Sequence, residues 1–207
     1  EKLAKKAEAD HKAAEIKLYG KKQQLEVRKA KLKEEDAKLK KELQPLRRHD
    51  HLLALLDEMA DRHDLAPALL STHEDGFCRV SYRDVRGRTF AVAIRLAQAG
   101  VKPGDRVLIS GKNCPEWPIA YFGILRAGAV AVPLDPALDA SKIETICASA
   151  EPVAAILDAD ARETFGDAVQ AEVLDLAEIA AMGAVGEIPR IEADPDALAS
   201  ILYTSGT

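Results

Sequence analysis

With 207 residues, 47% of them hydrophobic and 30% charged, the chain holds enough apolar material for one sizeable core plus an extension. Its net charge of −5 is unevenly divided: residues 1–48 carry 16 Lys and Arg against 9 Asp and Glu, residues 49–207 carry 13 against 25, and only the second, acidic part is able to bury a core. Three widely spaced cysteines, Cys78, Cys114 and Cys147, exclude a Cys-x-x-Cys site and fit a reducing, cytoplasmic setting, while the most apolar window, Trp117 to Leu134, is interrupted by Pro118, Arg126 and Pro133 and therefore reads as a buried helix and strand instead of a membrane span.

The basic arm comes first. From Glu1 to Leu43 there is no proline, one glycine and much Ala, Lys, Glu and Leu, so a long helix is expected. Leu18, Leu25, Leu32, Leu39 and Leu46 recur every seven residues, which lines one seam of a coiled coil. The companion seam position is charged throughout, as Lys21, Arg28, Glu35 and Glu42. Opposite charges four apart, such as Glu8 with Lys12, Glu34 with Lys38 and Asp36 with Lys40, stiffen a helix that packs on nothing by ~0.2–0.5 kcal/mol each. A solvated helix or weak coiled coil over 1–48 is the expectation, with weak self-association and mostly monomer at micromolar concentration. Acids alternate with the bases and no aromatics are interleaved, which argues against nucleic-acid binding. Pro45 ends the helix and Arg47 to Asp50 forms the linker. No apolar run of a signal peptide precedes the arm, and the opening Glu1 implies that the true start lies upstream.

His49, Asp50, His51 and His63 have no cysteine or second His pair to complete a tetrahedral metal set, so Asp50 is read as the cap of a helix. Beyond it helices and strands alternate. Phe90 to Gln98 is a helical pattern closed by Gly100; Pro103-Gly104-Asp105 turns into the strand Arg106 to Ser110. Glu116 to Arg126 is a helix, Ala129 to Leu134 a strand, Asp139 to Ser149 a helix capped by Asp139, and Val153 to Leu157 a strand. Val173 and Leu174 make a short strand, Leu176 to Met182 a helix, and Leu198 to Tyr203 a last strand. Helices of this length between strands are crossover connections, so the fold is α/β with a largely parallel sheet covered on both faces.

The last seven residues, Ile201-Leu-Tyr-Thr-Ser-Gly-Thr207, run an apolar strand into small hydroxyl residues and a glycine. Such a turn lets backbone N–H groups and short hydroxyls approach a polyphosphate, although Thr204-Ser205-Gly206-Thr207 alone also makes an ordinary turn. Taken with Val101-Lys-Pro-Gly-Asp-Arg-Val-Leu-Ile109, Asn113-Cys-Pro-Glu-Trp117, Tyr121-Phe-Gly-Ile-Leu-Arg-Ala-Gly-Ala-Val130 and Val132-Pro-Leu-Asp-Pro136, it resembles the N-terminal part of the adenylate-forming superfamily, the group of acyl-CoA synthetases, peptide-synthetase adenylation domains and luciferases. The resemblance runs from about Leu52 to Thr207, is dense between Tyr82 and Pro136 and thin between Asp139 and Pro195.

The resemblance implies that residues 49–207 are the first part of an AMP-binding domain and that Thr204, Ser205, Gly206 and Thr207 wrap the β- and γ-phosphates of ATP. It places the family's next lysine, its Mg²⁺-binding segment and its mobile C-terminal domain beyond Thr207, so the chain is expected to be a truncated piece with no catalytic residue of its own. The intact enzyme is then expected to activate a carboxylic acid, a fatty acid above all, with Mg·ATP and to pass the acyl group to CoA. Thr207, where peptide-synthetase domains often have serine, leans toward CoA. The rivals are a module that loads a carrier protein and a non-enzymatic protein whose helix binds a partner. The remaining recognisable blocks read as structure: Gly104 and Asp105 as a turn, Asn113 and Glu116 as a helix start, Trp117, Tyr121 and Phe122 as packing, and Gly123 and Gly128 as a close approach and a helix stop.

Because the transition state of adenylation spreads negative charge that cations must meet, a chain offering only hydroxyls and amides has little to stabilise it. Purified 1–207 is predicted to show no acid-dependent exchange of pyrophosphate into ATP; exchange above a control without acid would contradict the truncation.

Overall fold

A computed structural model describes residues 21–35, 49–73, 76–165, 168–183, 194 and 196–204. The chain divides into two compact units, Glu1–Arg48 and His49–Thr207. In the first, helix α1 spans 21–35 with every residue exposed, Leu25 and Leu32 included at 55% and 58%. Leu18, Leu39, Leu46 and the stop at Pro45 lie outside the described residues.

The second unit opens with α2 (Leu52–His63), the strands β1 (Pro67–His73) and β2 (Gly76–Ser81), and α3 (Tyr82–Gln98). There follow β3 (Arg106–Ser110), α4 (Glu116–Arg126), β4 (Val130–Pro133), α5 (Ala140–Ala150), β5 (Ala154–Leu157), α6 (Ala159–Phe165), β6 (Glu172–Asp175) and α7 (Glu178–Ala181). The strands β4-β3-β5-β6 form one wholly parallel sheet, and β1 and β2 pair antiparallel beside it as a separate hairpin.

Period-two burial sorts the strand residues onto two cores. Val107, Ile109, Ala131, Ala154 and Ile156 face a cluster with Leu56, Val92, Leu96, Ile119, Ile124 and Ile179, from α2, α3, α4 and α7. Leu108, Val132, Ala155 and Leu157 face a second cluster with Ile143, Ile146, Ala161 and Phe165, from α5 and α6. The expected α/β sheet with both faces covered is therefore the observed one.

Three local expectations differ from the structure. The cap of α2 is His51, not Asp50: its imidazole Nδ1 accepts the Ala54 N–H at 3.1 Å, which holds His51 as a local structural group. Helix α3 begins at Tyr82, eight residues earlier than expected, because Ser81 caps it and its hydroxyl accepts the Asp84 N–H at 3.1 Å. The strand expected over Leu198 to Tyr203 is reduced to a single parallel bridge between Ser200 and Ala131. Ala131 N–H donates to Ala199 O at 3.0 Å and Ile201 N–H to Ala131 O at 2.9 Å. The next donor along β4 on that side would be residue 133, a proline with no N–H, so the ladder stops there.

The helices over the first core are fastened by one buried cation. Arg126, 2% exposed, extends from α4 to Asp57 of α2, donating to Oδ1 at 2.6 Å and Oδ2 at 3.2 Å. Its Nε donates to Thr89 Oγ1 at 2.9 Å, and its guanidinium lies 3.8 Å from the Phe90 ring centroid, both on α3. The α3–α4 crossing is close as well: a Cβ at Gly123 would lie 2.5 Å from Val92 Cβ, so only glycine lets the two helices meet there.

Removing Asp57 leaves this cation without its counter-charge, a change that costs about 3–5 kcal/mol for a fully buried pair. Asp57 is 38% exposed, so Asp57→Ala is predicted to cost about 2–3 kcal/mol, whereas Asp61→Ala, from a partner of Arg86 that is 71% exposed, costs about 0–1 kcal/mol. Urea denaturation of the two variants checks the ordering; equal losses would remove the clamp from the account.

Candidate functional site

In an open parallel α/β sheet, ligands bind where the strands end and their connections leave for opposite faces. Here β3 leads to α4 over the first core, while its neighbours β4 and β5 lead to α5 and α6 over the second. The β3–β5 part of that rim is filled by protein. Asp158, just after β5, accepts the Lys112 N–H at 2.8 Å and the Ala161 N–H at 2.8 Å, so it caps α6 and ties down the loop after β3. A Cβ at Gly111 would stand 2.8 Å from Leu176 Cδ2 and 3.1 Å from Asp158 Oδ2. Next to β4, Ser110 is fully buried and donates its hydroxyl to Leu134 O at 3.0 Å.

The chain returns along the outer edge of β4. Ser200 Oγ donates to Ala131 O at 3.0 Å, and Tyr203 Oη donates to Ser149 Oγ, near the end of α5, at 3.0 Å. Between those two ties Leu202 is 71% exposed, and Thr204 follows, also exposed. Of the four residues expected to wrap phosphate, the structure places Thr204; Ser205, Gly206 and Thr207 lie outside the described residues.

Other candidates resolve into structure. Trp117 and Tyr121 stack at 5.7 Å between centroids and, with Phe122 edge-on to Tyr121 at 5.9 Å, pack against the first core. His49 faces Glu58 at 3.5 Å and His63 lies against Tyr82, so the histidines are dispersed. Among the described residues no group of three or more His, Cys, Asp and Glu is gathered in a way that could hold a metal ion, and no helix is long and apolar enough to cross a membrane. Lys112, at the rim, is ion-paired with Asp160 at 2.5 Å; the hydrogen bond to that carboxylate raises its pKa.

A groove of about 910 Å³ lies at the opposite, amino end of the sheet, between Leu53, Phe90, Ile94, Pro103, Leu125 and Leu198. Its arginines are engaged elsewhere, Arg126 by Asp57 and Arg106 by Ala150 O at 2.6 Å. Asp50, His51 and Asp194 also line it, His51 capping α2 and Asp194 accepting the Asp196 N–H at 2.9 Å; the ends of the parallel strands point instead to the carboxyl rim as the candidate.

The chain belongs to the AMP-binding enzyme family, whose model matches residues 56–207. It is 32% identical over 158 residues to the AMB antimetabolite synthetase AmbE of Pseudomonas aeruginosa, a match covering 76% of this chain and 7% of that protein. Among solved structures it resembles the fatty acyl CoA synthetase of Mycobacterium tuberculosis, at 25% identity and a TM-score of 0.61 over 73% of this chain and 32% of that one. It also resembles ATP-bound MatB from Rhodopseudomonas palustris, at 29% identity and a TM-score of 0.60, again over 73% of this chain and 32% of the other. The chain therefore spans a third or less of the length of these relatives.

Burial raises the pKa of the half-buried Cys114 and Cys147 thiols, which shifts both toward the protonated, less nucleophilic form. Alkylation of both, followed peptide by peptide, is predicted to reach half of its limiting rate at a higher pH in the folded chain than in the urea-unfolded chain. A plateau near pH 8 in the folded chain would contradict the burial argument.

Proposed function

We propose that the protein carrying this chain is an ATP-dependent acid–thiol ligase, which activates a carboxylic acid as its acyl adenylate and then transfers the acyl group to the thiol of CoA. What supports the reading is the match of residues 56–207 to the AMP-binding family, together with an exposed Thr204, followed in sequence by Ser205, Gly206 and Thr207, shortly after the bridge between Ser200 and β4. ATP supplies the adenylyl group, and the carboxylate attacks its α-phosphate and expels pyrophosphate. This chain's contribution is to hold: the Thr204 hydroxyl and the backbone N–H groups of a small-residue turn suit phosphate oxygens, and nothing bulky intervenes. Among the described residues no carboxylate set is gathered that could hold Mg²⁺.

A fatty acid as substrate and CoA as acceptor are supported by the likeness to the M. tuberculosis fatty acyl CoA synthetase and by Thr207. A second reading, an adenylation module that loads a carrier protein, is favoured by the higher identity to the AmbE synthetase. The two share the first half-reaction and differ in the acceptor thiol.

The test uses residues 1–207 joined to the remainder of an AMP-binding domain. Acid-dependent pyrophosphate exchange is expected, and replacing Thr204 and Thr207 together by alanine is expected to reduce it about 10–100-fold through lost phosphate contacts. Release of acyl-CoA on adding CoA supports the first reading; acylation only of a phosphopantetheinyl carrier supports the second. No exchange with any of a panel of carboxylic acids would overturn both.

A further inference from the structure

The exposed face of α1 is an interaction surface that the ligase reading does not use. We propose that α1 pairs with the α1 of a second copy of this chain, and that the two helices run antiparallel.

Leu25 and Leu32 stand one heptad apart, both more than half exposed, within a leucine repeat that the sequence extends in both directions. A seam of one leucine per heptad is narrow, and the companion position decides which partner it accepts. Along the sequence that position reads Lys21, Arg28, Glu35, Glu42: positive in the first half and negative in the second. Parallel, in-register pairing sets every one of these charges beside its own copy, so all the contacts across the seam are like with like. Reversing one helix about a point between Arg28 and Glu35 sets Arg28 of each copy near Glu35 of the other and keeps Leu32 close to its counterpart. The sign order is thus complementary to itself only in reverse, and that symmetry identifies the occupant as a second copy of the same helix.

The same features keep the pairing weak. Charge occupies half of the seam, and Lys31, on the flank, faces its own copy when the helices are reversed. Association is expected at about 100 μM and above, with monomer dominant at low micromolar concentration.

Sedimentation equilibrium of the full chain is the first test. Glu35→Lys makes the described part of the seam wholly positive and is expected to weaken dimerisation at least about tenfold, whereas Arg28→Glu combined with Glu35→Lys reverses the order and returns it to within about threefold of the parent. Orientation is read by zero-length carbodiimide cross-linking of an equal mixture of ¹⁴N- and ¹⁵N-labelled chains carrying Arg28→Lys. A mixed-isotope cross-link between residues 28 and 35 is the expected product. Absence of that cross-link at concentrations where dimer is present, a dimer indifferent to both charge variants, or a chain that stays monomeric at the highest concentration reached would each overturn the proposal.

Discussion

The second unit depends on a cation that cannot be neutralised. A guanidinium stays charged at any pH a protein meets, so placing Arg126 at 2% exposure obliges the fold to bring it a carboxylate, a hydroxyl and a ring face. Asp57, Thr89 and Phe90 meet that demand from two other helices, which fixes α2 and α3 relative to α4. Replacing such a group by an apolar side chain of similar volume is often no worse for stability, so its value here is geometric. It aligns the helical layer on which β3 and β4 rest, with the Gly123–Val92 contact setting how closely α3 and α4 approach.

From that layer the carboxyl rim follows. The loop after β3 is closed down by Asp158, while the outer edge of β4 takes the bridge to Ser200. Pro133 then acts at a single atom. By lacking an N–H it ends the ladder that Ala131 begins with Ala199 and Ile201, and the chain leaves the sheet within two residues of Thr204. A strand paired up to its end would hold those backbone groups in the sheet; a strand released early presents them to whatever lies beyond.

Much of the sheet was legible in the sequence, because β3, α4 and α5 carry plain turn and cap signals: Pro103-Gly104 before β3, Gly128 after α4, Asp139 before α5. The antiparallel pair β1–β2 went unread, and its exposed Leu70 and Phe77 blur the alternation that marks a half-buried strand. Helix α6 went unread although Asp158 precedes it as a cap. The clamp had one visible sign, a lone arginine inside the most apolar window, but its carboxylate lies 69 residues earlier and no local pattern joins the two. The shortened final bridge was legible only in hindsight, since a proline on one strand limits its neighbour only once the pairing is known. Of the phosphate-binding residues the sequence proposed, Thr204 alone lies among the described residues, where it is exposed.

Family membership fixes the type of fold and the nucleotide chemistry that residues 56–207 serve among their relatives, while the acid and the acceptor rest on weaker signs. The central claim is that a carboxylate attacks the α-phosphorus of ATP at the rim this chain builds. The most direct measurement is isotope transfer: the carboxylic acid is labelled with ¹⁸O in both oxygens and turned over by residues 1–207 joined to the remainder of an AMP-binding domain. Attack at the α-phosphorus followed by thiol attack at the acyl carbon leaves one ¹⁸O in the phosphate of AMP and none in pyrophosphate. Label in orthophosphate with ADP as the other product, or AMP released without label, would contradict it.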